Sequence, residues 1–216
     1  MRILLLYLIV GQTFATSNNL SYTKTHKSTR LKLLSNIYRP VPFVSHNKPS
    51  KIYGTYLARN ISYKPITKIR TYIEKVRNLK LKHRGEAHIT VLTPPEFNHI
   101  KRWNPSINMI SIDHLVDSLI QYVHFNILGI GSLKGQNTNK QESEVFFLVI
   151  KSRGLRTIRK LIAAEWSIPK DIFDPMKQDF HITIGFTASD LFSRKGFEAK
   201  KDSSTIQLDL NFDSIK

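Results

Sequence analysis

Apolar positions follow two periods along residues 51–216, and each stretch predicts its element. Residues 52–58 form a β-rich run. Over 65–81, Ile66, Ile69, Ile73, Val76 and Leu79 recur at helical spacing with Pro65 in the first turn, which predicts a helix. Residues 86–93 (EAHITVLT) alternate as a strand does, and Pro94-Pro95 stops it. Ser111 is placed to cap a helix running to Gln121, with Ile112, Leu115, Val116 and Leu119 on one face. Residues 122–133 and 144–151 are β-branched and aromatic, and the polar GQNTNKQES between them makes the pair a hairpin. A second helix is expected over 153–166 with Leu155, Ile158, Leu161 and Ile162 inward, then a strand over 180–187 (FHITIGFT) and a last one over 207–212. Hairpins mixed with isolated helices do not make a regular βαβαβ series, so the class is α+β.

Upstream the pattern changes. Residues 1–17 (MRILLLYLIVGQTFATS) have one basic residue, an unbroken apolar run of eight from Ile3 to Val10, and then small residues, the layout of a signal peptide. Such a run is far short of the roughly 20 residues a membrane-spanning helix needs. Cleavage after Ala15 or Ser17 suits a signal peptidase; a mitochondrial presequence is the alternative, and the all-round apolar block favours secretion. Residues 18–50 contain Pro40, Pro42 and Pro49 without a sustained period and read as a basic linker, poorly ordered at least to Tyr38. One folded domain is therefore expected over 51–216.

Composition narrows the chemistry. The chain has no Cys, which excludes thiol nucleophiles, disulfides and Cys-based metal sites and leaves His, carboxylates and hydroxyls. Its net charge is +17, but no Asp or Glu precedes Glu74 while twelve Lys and Arg do. The first 73 residues thus carry +12, and the basic N-terminal segment is a candidate polyanion-binding region.

One coincidence stands out. His88-Ile89-Thr90-Val91 and His181-Ile182-Thr183-Ile184 share the pattern His-apolar-Thr-apolar, 93 residues apart, each in a strand context. Two such tetrapeptides arise by chance in roughly four of a thousand chains of this composition. Strand alternation puts His and Thr on one face and the aliphatic residues on the other, where they can pack against the helices at 65–81 and 153–166. Gly185, next on the polar face after Thr183, is expected to leave room there. Two imidazoles about one atom can divide acid–base work near neutrality, and two hydroxyls can hold the non-bridging oxygens of a phosphate, with no metal or other cofactor required.

The duplicated H-x-T pattern resembles the 2H phosphoesterase superfamily, and RGEAHITVLTPPEF (84–97) and DFHITIGF (179–186) are similar to its fungal Swiss Army Knife RNA-repair-like branch. The resemblance covers roughly 50–215. It implies two similar lobes of antiparallel sheet with outer helices around a central cleft, His88 and His181 as the general acid and base, and Thr90 and Thr183 as phosphate-binding hydroxyls. It also implies a substrate with a 2′,3′-cyclic or 2′-5′ phosphodiester, at an RNA end or in a nucleotide, and a monomeric enzyme. No G-x-x-x-x-G-K-[ST] loop is present, so a kinase or ligase step is not encoded here.

Other residues receive plainer readings. His26, His46, His83, His99, His114 and His124 lack metal-site spacing and read as surface or structural. Glu86 reads as a solvated strand end, and Tyr53 and Tyr56 as core rather than cleft residues. The competing functional class is a secreted basic module that binds RNA or another polyanion on an inactive 2H scaffold.

Overall fold

The computed structural model describes residues 35–50, 54–137 and 139–191. A 3-10 turn (Ser35–Tyr38) leads into β1 (His46–Ser50), β2 (Gly54–Asn60), α1 (Tyr63–Arg77), β3 (His88–Leu92), α2 (Pro94–Trp103) and α3 (Met109–Ile120). Then come β4 (Asn126–Gln136), β5 (Glu142–Lys151), α4 (Arg153–Glu165) and β6 (Phe180–Phe186). All six strands pair antiparallel in the order β1-β2-β3-β6-β5-β4. The class is α+β, and the two lobes are two halves of one sheet joined along β3 and β6.

One face of that junction is the core. Ile89, Val91, Ile182 and Ile184 pack with Ile66, Ile69 and Ile73 of α1 and Leu155, Ile158 and Ile162 of α4. Burying each such side chain stabilises the fold by about 1.5–3 kcal/mol. The aliphatic positions of both H-x-T strands thus anchor the polar ones.

Several boundaries differ from the sequence expectation for identifiable reasons. Helix α1 ends at Arg77 rather than Leu81 because Asn78 takes a left-handed conformation (φ 49°) that closes the helix. The Leu81 N–H instead bonds the Glu74 carboxylate at 2.9 Å. Pro94-Pro95 does more than stop β3: the two prolines occupy the first turn of α2, where the missing N–H groups cost nothing. Thr93 and Glu96 close a capping box there, with Glu96 accepting from the Thr93 N–H at 2.9 Å. Helix α3 is capped by Asn108, and Ser111 is its capping-box partner inside the helix rather than the cap.

The larger correction concerns the stretch read as a linker. From Ser35 it is built into the fold: Ile37 is fully buried and Tyr38 packs on Phe125 at 5.1 Å between ring centres. Ser45 Oγ donates to the Asp113 carboxylate, and Asn60 Nδ2 donates to the Pro42 carbonyl at 3.3 Å. The 1–17 leader, Tyr53 and the 207–212 strand lie outside the described residues. Among the described residues no helix is long and apolar enough to cross a membrane.

Candidate active site

The strand register builds the site. Ile89 of β3 is paired with Ile182 of β6, so in this antiparallel ladder His88 faces Thr183 and Thr90 faces His181. The two tetrapeptides are thereby related by a local twofold axis through the Ile89–Ile182 pair, with each His opposite the other's Thr. Diagonal neighbours on one sheet face stand about 7–8 Å apart, a spacing at which two imidazoles can flank one phosphate. The rows extend across the sheet as Asn60, His88, Thr183, Phe147, Gly131 and as Ala58, Thr90, His181, Val149, Gly129.

All four H-x-T side chains line one open cleft of about 1300 Å³. Its walls are the start of α2, including Thr93, Glu96 and His99, and the α4–β6 connection from Lys170 to Asp179. The α4–β6 wall is tied down by Arg159 of α4, which is fully buried. Arg159 donates to Glu96 at 2.7 and 3.2 Å and to the carbonyls of Val91 (2.6 Å), Asp174 (2.8 Å) and Pro175 (3.0 Å). Every N–H of the guanidinium has an acceptor, so one side chain fixes the end of β3, the start of α2 and the α4–β6 wall together.

The two histidines have different surroundings. His181 Nδ1 lies 3.3 Å from the Asp179 carbonyl. A carbonyl only accepts, so the ring proton sits on Nδ1 and Nε2 keeps its lone pair. Burial holds the His181 pKa below its ordinary value; the Asp179 carbonyl and the Asp190 carboxylate oppose the shift, and His88 and Arg84 add to it. His88 is 11% exposed, and its buried Nδ1 lies 3.4 Å from the Glu86 carboxylate. Glu86, held below the usual carboxylate range chiefly by the neighbouring His88, sets a negative charge beside that ring. Glu86 is exposed just ahead of β3, as expected of a solvated strand end, and it also stands beside His88.

Aromatic rings back both sites. Phe147 meets His181 edge-on at 5.8 Å, and its ring lies over Gly131 of the paired strand, where a Cβ would approach within 2.5 Å of it. On the other side, Tyr56 lies 5.3 Å from His88 and stacks on His46 at 4.2 Å and 15°. Tyr56 is thus a cleft residue rather than a core one, and His46 is a third imidazole, 5.9 Å from His88. Burial, and then the charge of His88, keep the His46 pKa below its ordinary value. No signal in the 18–50 stretch announced this, because the contacts join residues distant in sequence.

Two further expectations change. Gly185 does not open the cleft: a Cβ there would meet the Lys82 carbonyl at 2.8 Å, because the backbone of residues 81–82 crosses at that point and pairs with Phe186. Arg84, just before the first motif, pairs with Asp190 just after the second, and both line the cleft. Among the described residues, no group of three or more His, Asp or Glu is placed to hold a metal ion.

A family model described as "Swiss Army Knife, 2H phosphoesterase domain" matches residues 55–192, well over half of the chain. The chain belongs to this 2H phosphoesterase family. The matched region contains both H-x-T strands, α2, the Arg159 brace and the α4–β6 wall, whereas β1 and His46 lie before it. Membership supports a phosphoesterase, with nucleotides or RNA suggested as substrates. No curated protein and no solved structure matched the chain.

Proposed function

We propose that the protein hydrolyses a 2′,3′-cyclic or 2′-5′ phosphodiester of an RNA end or nucleotide, with His88 and His181 sharing proton transfer and no metal taking part. The observation that carries this is the in-register pairing of the two tetrapeptides on the floor of one cleft. His181, neutral and with Nε2 unprotonated, removes a proton from the attacking water. The oxygen attacks phosphorus, and the bond to the leaving ribose oxygen breaks as His88 gives that oxygen its proton. Glu86 holds the charged form of His88 in place beforehand. Thr90 and Thr183 donate to the non-bridging oxygens, where charge grows in the transition state. A cyclic diester and water become a ring-opened monoester, and the proton inventory closes with His181 protonated and His88 neutral.

The experiment is incubation of the purified protein with 2′,3′-cyclic nucleotides, and with RNA ending in a cyclic phosphate, in the presence of EDTA. Ring-opened monoester is the expected product; activity abolished by chelator and restored by metal would contradict the mechanism. A second reading, a basic RNA-binding module on an inactive scaffold, is favoured by the +12 carried by the first 73 residues. It requires RNA binding that weakens steeply with salt, and no turnover.

A further inference from the structure

We propose that the cleft selects a small phosphodiester bearing a single negative charge, such as a 2′,3′-cyclic mononucleotide, over the end of a long RNA strand. This inference rests on the phosphodiesterase reading of the same site. Space does not limit the substrate, since the cleft measures about 1300 Å³. Charge does. Among the described residues, the cations lining it are Arg84, Lys170 and Lys177, and the carboxylates are Glu96, Asp171, Asp174, Asp179 and Asp190. Two of the three cations are already engaged: Arg84 with Asp190, and Lys170 with Asp174 at 3.8 Å. Even with buried Arg159 compensating Glu96, the described residues of the walls offer no run of cations that a phosphate backbone could follow.

A surface that binds a polyanion supplies about one Lys or Arg for each phosphate it neutralises. Here one phosphate is met at the sheet by two hydroxyls and two imidazoles, and each further phosphate would approach the carboxylates of the α4–β6 wall. Beyond His181 the floor is apolar: Leu133, Val145, Phe147 and Leu191 line it. Tyr56 on one side of the phosphate site and the apolar floor on the other offer contacts to a neutral base.

The test compares kcat/KM of the full chain for adenosine 2′,3′-cyclic phosphate and for an RNA of about ten nucleotides ending in the same group, at salt from about 50 to 200 mM. The mononucleotide is expected to be favoured by at least about tenfold, with little salt dependence. Asp171→Lys, on the exposed lip, should raise the value for the RNA several-fold more than that for the mononucleotide. An RNA turned over as well as or better than the mononucleotide, or an Asp171→Lys variant that improves the RNA no more than the mononucleotide, overturns the inference while leaving the phosphodiesterase reading standing. Turnover of neither substrate overturns that reading and the inference with it.

Discussion

At His181 the carbonyl of Asp179 and burial act on the same nitrogen chemistry from two directions. The carbonyl fixes the proton on Nδ1, and burial lowers the pKa, so the neutral ring persists into mildly acidic solution. A base with a depressed pKa works above that pKa and is lost as pH falls through it. The acid limb of the kcat/KM profile is therefore expected below about pH 6.5, the ordinary His value; a limb above it would contradict the assignment of His181 as base. Asp190→Asn should move this limb further down, because Asp190 raises the His181 pKa and the released Arg84 cation lowers it. A limb that stays in place or rises would remove Asp190 from the account. Thr90→Val and Thr183→Val keep the side-chain shape and lose one donor each, so kcat/KM should fall by up to about 10²-fold with the melting temperature little changed.

Two elements set the shape of the cleft. Glu96 joins the α2 cap to Arg159, and its removal would leave a fully buried guanidinium without its counter-charge. Glu96→Ala should cost about 3–5 kcal/mol in denaturant unfolding, the usual loss when one partner of a buried pair is deleted; a loss under 1 kcal/mol would show that the brace contributes little. The strand pair β1–β2 brings His46 behind Tyr56 and beside His88. His46→Ala should lower kcat by about tenfold at unchanged KM, by releasing the ring of His88, and His46→Phe should restore it by keeping the stack. Equal kcat in all three proteins would make the 35–50 segment purely structural. These elements were unequally legible in the sequence. The H-x-T strands and α4 follow from their periods, because both lie directly on the core. Helix α2 is hidden: Thr93-Pro-Pro-Glu96 has the spacing of a capping box, but two prolines after an alternating run equally mark the end of a strand. Strand β1 had no such signal: its stretch is polar and broken by proline, and its place is set by Ile37, Ser45 and His46 reaching partners far along the chain. The same distance hid the Arg84–Asp190 pair, 106 positions apart.

For the whole molecule, one antiparallel sheet separates a greasy helical side from a polar cleft, and the duplicated tetrapeptide lies where its two halves meet. The symmetry of the register makes the four side chains equivalent in place, and their neighbours make them unequal: a carboxylate beside His88, a carbonyl and an apolar floor beside His181. In the proposed mechanism that inequality lets one ring give a proton while the other takes one. If both rings serve a single step, their losses cannot multiply. The most direct measurement is the hydrolysis rate of a 2′,3′-cyclic nucleotide in EDTA by His88→Ala, His181→Ala and the double variant, with folding of each checked by circular dichroism. Each single variant should lose about 10²–10⁴-fold in turnover, and the double variant far less than the product of the two; a folded double variant with full activity would contradict the account.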